Sequence, residues 1–229
     1  MVVLATASTS AGELVAKVLP LAIGAAISPT ILIVVLLVLG SPSHPRIRGV
    51  AYSAGAITVL LVLAVISLTV LQRRVTGHQA SDPIYGWIDI GFGVLMAIIG
   101  VRALRTAPHP QLAPTGGADQ PAHVGRFYAI GLAMMLTNFS TLVLFVPAMK
   151  DVAVASVGTG AKAVAVVLVL AVASVLAWAP VLLDVVAPKA ASRILNSLNA
   201  FMTRHQQAVT VTVCFVFSVV LIAKGARAF

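Results

Sequence analysis

Residues 21–40 read LAIGAAISPTILIVVLLVLG, a membrane-spanning helix but for Ser28, Pro29 and Thr30 at its midpoint. Proline inside a helix deletes a backbone hydrogen bond and costs about 3 kcal/mol or more in water. In a bilayer no water satisfies the freed carbonyl, so neighbouring helices or a polar cavity must do so. The stretch is either a tolerated kink or the floor of a binding site.

The surrounding composition sets the frame. Of 229 residues 60% are apolar and 9% charged, with a mean hydropathy of +1.07, too few charges for a soluble domain of this length. The apolar stretches run too long and too unalternating for barrel strands, so the chain is an all-α membrane protein. Six windows emerge, at 18–43, 49–72, 83–105, 127–149, 163–186 and 206–226. Only the third, which holds Asp89, carries a charge before its last turn. The chain has 15 Lys and Arg against 6 Asp and Glu, but these bases gather at span ends, where they anchor to headgroups. No basic cluster interleaves with aromatics, which argues against nucleic acid as a partner. Cys214 is the single cysteine, so an internal disulfide and a dithiol redox pair are excluded. The N-terminus lacks the positive region of a cleaved signal peptide.

Residues 106–125, TAPHPQLAPTGGADQPAHVG, hold four prolines and three glycines and read as a flexible linker. It leaves three spans in residues 1–105 and three in 126–229. AIGAAISPTILIVVLLVLG opens the first half, and AIGLAMMLTNFSTLVLFVP, residues 129–147, opens the second. Aligned on Ala-Ile-Gly, the openings match at Ala22/Ala129, Ile23/Ile130, Gly24/Gly131, Ala26/Ala133 and Thr30/Thr137. A register three residues over pairs Ser28 with Asn138 instead. An odd number of spans per half makes the second half enter from the opposite face. The expected architecture is thus six transmembrane helices as two inverted three-helix repeats, the pattern of secondary transporters with a site near the midplane.

Orientation is balanced. Seven Lys and Arg fall on the N-terminal side and eight on the other; the first-loop arginines and the uncharged N-terminus tilt the reading towards both termini outside. Before the last span, Ile194, Leu195, Leu198, Phe201 and Met202 share one helical face with Lys189, Arg193 and Arg204 mostly off it. Segment 187–204 therefore reads as an amphipathic helix lying in the interface, or else as a solvated connector.

Two sets of residues are candidates for function. Gly86, Gly93 and Gly100 form a stripe with Asp89 on it, and such stripes face neighbouring helices. A carboxylate at the centre of a span costs at least about 2.5–3.5 kcal/mol, which marks Asp89 as a proton carrier or cation contact. Its distance of two turns from Pro83 also fits a residue that merely caps or pairs at the interface. The second set is Ser28, Pro29 and Thr30 with Thr137, Asn138, Ser140 and Thr141. If both breaks meet at mid-depth, these hydroxyls, the amide and the exposed helix ends would line a polar substrate site. Either segment alone reads as a kink with packing. The five histidines lack ligand spacing, so no metal is expected. No phosphate loop, nucleophile elbow or paired cysteine motif is present, so neither an enzyme nor a cofactor is expected.

AIGAAISPTILIVVLLVL resembles the first helix of the lysine-exporter (LysE) superfamily, and more narrowly that of the GAP-family peptidoglycolipid-addressing proteins of actinobacteria. TNFSTL, residues 137–142, stands where that family has a TNPKNL-like break. The tail APKAASRILNSLNAFMTRHQQAVTVTVCFVFSVVLIAKGARAF is similar to the family's ending, with His205 before the last span and Lys224–Gly225 closing it. The likeness covers nearly the whole chain. It implies six spans in a three-plus-three arrangement and a role in transport or lipid export. Ser28 and Pro29 match the first break, Thr137 and Asn138 the second. Phe139, Ser140 and Thr141 depart from the family's proline, lysine and asparagine, which makes the second helix less broken and removes the lysine's contact.

The expectation is a secondary exporter in the inner (cytoplasmic) membrane, moving a small molecule or an amphipathic lipid-linked substrate around the paired breaks, with Asp89 as the candidate proton coupler. The alternative is a non-transporting scaffold that recruits cell-envelope machinery through segment 187–204. Membrane lipids and the substrate are the expected partners, and the small-residue faces of spans three and five suit a homodimer as well as the bundle.

Overall fold

The computed structural model describes residues 11–40, 44–75, 83–105 and 124–227, and among these the structure is all helical, with no strand. The helices are α1 (Ala11–Ala26), α2 (Pro29–Leu39), α3 (Pro45–Val75), α4 (Pro83–Arg105), α5 (Val124–Thr137), α6 (Phe139–Val154), α7 (Thr159–Ala173), α8 (Val175–Val186) and α9 (Pro188–Ala226). The expected linker, residues 106–125, lies outside the described residues except for Val124 and Gly125, which begin α5.

Among the described residues three helices are long and apolar enough to cross a bilayer alone: Pro45–Leu71, Tyr85–Arg105 and Arg193–Ala226. The other six form three bent pairs, α1–α2 at 55°, α5–α6 at 73° and α7–α8 at 70°. Counting each pair as one span gives six. Side chains sort as a bilayer requires: Leu32, Tyr52, Leu144, Phe145 and Met149 are fully buried between helices, while Val65, Val164, Val167 and Val219 point outward.

Two features depart from expectation. The fifth window, 163–186, is bent at Ser174 although its proline lies six residues further on. Ser174 Oγ bonds back to the Leu170 carbonyl at 2.6 Å, and Trp178 Nε1 takes the Ala171 carbonyl at 3.2 Å. Back-bonding by a hydroxyl bends helices, and here an indole satisfies a further carbonyl of the opened turn. Segment 187–204 is likewise not a separate element. It continues into the last span as the 39-residue α9, about 58 Å long against a hydrocarbon core of about 30 Å. Its apolar face divides: Leu195, Leu198 and Met202 pack on the bundle, and Ile194 and Phe201 stay exposed.

Small residues set the close crossings. The glycine stripe of α4 packs on α9, since a Cβ on Gly93 would lie 3.1 Å from the Ser218 carbonyl and one on Gly100 3.1 Å from Cys214 Cβ. Helices α3 and α5 meet at Gly55 and Gly131, where added Cβ atoms would run into the Tyr128 and Tyr52 carbonyl oxygens. Backbone cannot yield there as a side-chain tip can. Gly131→Ala should therefore destabilise the protein by about 1–3 kcal/mol. Gly125→Ala, which meets nothing within 4 Å, should leave it unchanged. Detergent-solubilised unfolding curves of the two variants check this, and equal midpoints would contradict the crossing.

Candidate functional site

Pro29 is not inside a helix; it is the first residue of a new one. Its missing N–H falls where a helix has no partner for it, and its fixed φ suits a first turn. Ser28 is extended (φ −129°, ψ 101°), and its carbonyl accepts the Leu32 N–H at 3.3 Å to begin α2. The Ile27 N–H still reaches the Ile23 and Gly24 carbonyls, and the Ser28 N–H the Ala26 carbonyl, so α1 ends in tightened turns.

The second helix is broken at Asn138 without any proline. Asn138 (φ −83°, ψ 73°) occupies the position before α6 that Ser28 occupies before α2. Its side chain takes the proline's place as the cause. Nδ2 donates to Thr141 Oγ1 at 2.9 Å, and Ser140 Oγ donates to Asn138 Oδ1 at 2.9 Å. Local bonds of this kind compete with helix continuation. The expectation that Phe139 would leave this helix less broken is corrected: the bend here, 73°, exceeds the 55° at Pro29, and Phe139 itself is exposed.

The two breaks touch. Asn138 Nδ2 also donates to Ser28 Oγ at 2.9 Å, and Thr141 Oγ1 donates to the Ala25 carbonyl at 2.8 Å. Ser28, Asn138 and Thr141 are buried. The helix starts of α2 and α6 therefore meet at one point, each bringing the positive end of its dipole. Of the expected set, Ser28, Asn138, Ser140 and Thr141 are joined, and Pro29 is buried beside Ser28. Thr30 is half-buried in the first turn of α2. Thr137 is exposed and bonds back to the Ala133 and Met134 carbonyls at 2.9 and 3.1 Å, so it does not enter the cluster. The register that equates Ser28 with Asn138 is the one the structure uses.

Asp89 stands apart, in a second buried polar centre. The carboxylate pairs with the Lys150 ammonium of α6 and lies 3.4 Å from Lys224 of α9. Lys224 in turn holds Asp151 at 2.5 and 2.6 Å, and Lys150 donates to the Tyr85 carbonyl at 3.2 Å. Two carboxylates and two ammoniums thus compensate one another where α4, α6 and α9 converge. Both cations approach Asp89 through Oδ2, and the buried Oδ1 has no hydrogen-bond partner among the described residues. Of Asp89, Lys150, Asp151 and Lys224, the sequence marked only Asp89; the two lysines read as span-end bases. Along α6 the quartet is 12 residues, about 18 Å, from Asn138.

Among the described residues no group of His, Cys, Asp or Glu could hold a metal ion. Two grooves run along the seam of α3 and α5, of about 550 and 320 Å3, the second bounded by Leu136 and Leu142 beside the Asn138 break. The second is walled by aliphatic side chains and Thr58, and the first mainly by aliphatic side chains with Arg46 and Tyr128 at its border.

Residues 18–227 match the family model described as Sap, sulfolipid-1-addressing protein, and the chain belongs to that family. No curated protein and no solved structure matches it.

Proposed function

We propose that this member of the sulfolipid-1-addressing family is a secondary carrier that exports an amphipathic lipid across the cytoplasmic membrane by alternating access around its paired helix breaks. The family description supports lipid addressing or export. The observation that carries the transport reading is the direct bond between Asn138 and Ser28, which couples two interrupted helices from opposite halves of the chain. Broken helices whose positive ends converge at mid-depth suit an anionic substrate group.

An inverted three-plus-three repeat of LysE type fits the packing. α4 lies against α9, its own counterpart, while α3 with α5 and α1 with α7 are the exchanged pairs that a pseudo-two-fold axis would produce. The bend at Ser174 has no counterpart in the continuous α3, so the two halves would have diverged there. Grooves that open sideways and are lined by aliphatic groups favour a lipid-linked cargo over an amino acid or an ion.

Asp89 is the proton-coupling residue in this reading. Protonation would cancel the charge that holds Lys150 and Lys224, and so loosen α4 from α6 and α9. The purified chain in liposomes should move fluorescent phosphatidylglycerol between leaflets faster than empty liposomes do, and faster still with an imposed proton gradient. Movement no faster than in empty liposomes, with a stoichiometric protein partner co-purifying, would replace the carrier with the scaffold, whose docking edge would be Ile194 and Phe201.

A further inference from the structure

The geometry points to the α3–α5 seam as a lipid track, which holds the acyl chain of an anionic lipid while arginines at its mouth hold the headgroup. The inference rests on the transport reading and gives that carrier a substrate path.

Three observations converge. First, the two grooves are stacked along one seam. The outer one begins at Arg46 and Val124 and the inner one ends at Ile66, Leu136 and Leu142, with the Tyr128 hydroxyl donating to Thr58 Oγ1 at 3.1 Å between them. From Val124 to Leu136 α5 rises about 18 Å, a little more than half the depth of a hydrocarbon core. That is the reach of a chain anchored in one leaflet, so a furrow of this length keeps the chain in apolar surroundings as far as the break.

Second, the mouth is basic. Arg46 borders the outer groove, Arg126 is in the first turn of α5, and the buried Arg48 guanidinium lies 5.0 Å above the Phe127 ring. Arg46 is itself paired with Asp184, at 3.3 Å. Guanidinium groups match sulfate and phosphate oxygens in bidentate geometry, which suits a sulfated or phosphorylated headgroup. Third, the inner groove ends on the two leucines that flank the Thr137–Thr141 break, so the track leads from the arginines to the place where the helix starts converge.

The test uses the full chain in nanodiscs with two photoactivatable probes, diazirine-acyl phosphatidylglycerol and its phosphatidylcholine counterpart. Crosslinks should concentrate on α3 and α5, with phosphatidylglycerol preferred about five-fold, the weight of one basic residue beside an anionic headgroup. Val62→Trp, at an exposed groove position, should remove most of the α3–α5 crosslinks. Val220→Trp, on the outward face of α9, should not. Arg46→Gln should abolish the headgroup preference and leave phosphatidylcholine labelling intact. Labelling spread evenly over the outward faces of α4 and α9, or unaffected by Val62→Trp, would reduce the furrow to annular lipid and overturn the inference. Leaflet exchange by the same protein is read separately: exchange without furrow labelling removes the track but spares the carrier. Furrow labelling without exchange keeps the site and removes the carrier.

Discussion

Asp89→Asn is expected to lower stability by about 3–5 kcal/mol, because removing one member of a buried ion pair leaves the other charge uncompensated. Lys150 is the residue left behind. It is 4% exposed, its next carboxylate oxygen is 4.0 Å away on Asp151, and Lys224 already occupies that group. Two ammoniums would then share one carboxylate in a medium of low dielectric. Asp89→Asn/Lys150→Met removes both charges and should recover most of the loss, since replacing a buried pair with apolar groups is often neutral. The double variant also separates two roles that the single one confounds. As a mere clamp, Asp89 would be dispensable once Lys150 is gone, and proton-driven lipid movement would return with stability. As the coupling group, it leaves a folded double variant without proton-driven movement, and this is the expected result. Unfolding midpoints and gradient-driven exchange measured on the same preparations decide it, and recovered exchange would strike Asp89 from the mechanism.

The cost of Asp89 was legible from the chain because a charge inside an apolar window is anomalous whatever surrounds it. Its partners were not. Lys150 and Asp151 fall just past the window 127–149, and Lys150 read as a span-end base, yet α6 continues to Val154 and carries both into the bundle. Lys224 closes the last span by the same logic, and only the α4–α9 crossing, where a Cβ on Gly225 would lie 2.7 Å from the Gly86 carbonyl, brings it to Asp89. The glycine stripe announced that a crossing exists without saying which helix is crossed. The breaks divide in the same way. Proline disclosed the first, since its effect on the backbone is local. The second rests on an asparagine whose side chain bonds locally to Thr141 and Ser140, its junction with the first on a serine 110 residues earlier, and an alignment on apolar matches chose a register three residues away. The bend at Ser174 had only a serine to mark it, and serine is too common within apolar helices to mark a bend. Segment 187–204 had the right periodicity, but periodicity describes a face and cannot tell whether the helix stops.

Asn138→Leu should slow lipid movement about ten-fold or more, the rate equivalent of some 1.4 kcal/mol, while the protein remains folded. The side chains are close in volume, so packing is nearly conserved, but Leu neither donates to Ser28 and Thr141 nor accepts from Ser140. Thr141 keeps its bond to the Ala25 carbonyl. Ser28 and the half-buried Ser140 lose their partner, and a buried group such as Ser28 left unsatisfied costs about 1–3 kcal/mol. Ser28→Ala removes one end of the same bond, so the double variant Ser28→Ala/Asn138→Leu should cost less than the two singles together, as residues sharing one network do. Thr137→Val supplies the contrast. Thr137 is adjacent in sequence and polar, but it bonds only to its own helix, and its loss should leave transport unchanged. That difference between neighbours is the signature of a cluster that joins two helices, because a general need for polarity at the break would make Thr137 matter as much as Asn138. Equal effects at 137 and 138, or additivity of Ser28→Ala with Asn138→Leu, would mean that the breaks bend independently, and the coupling on which alternating access rests would be lost.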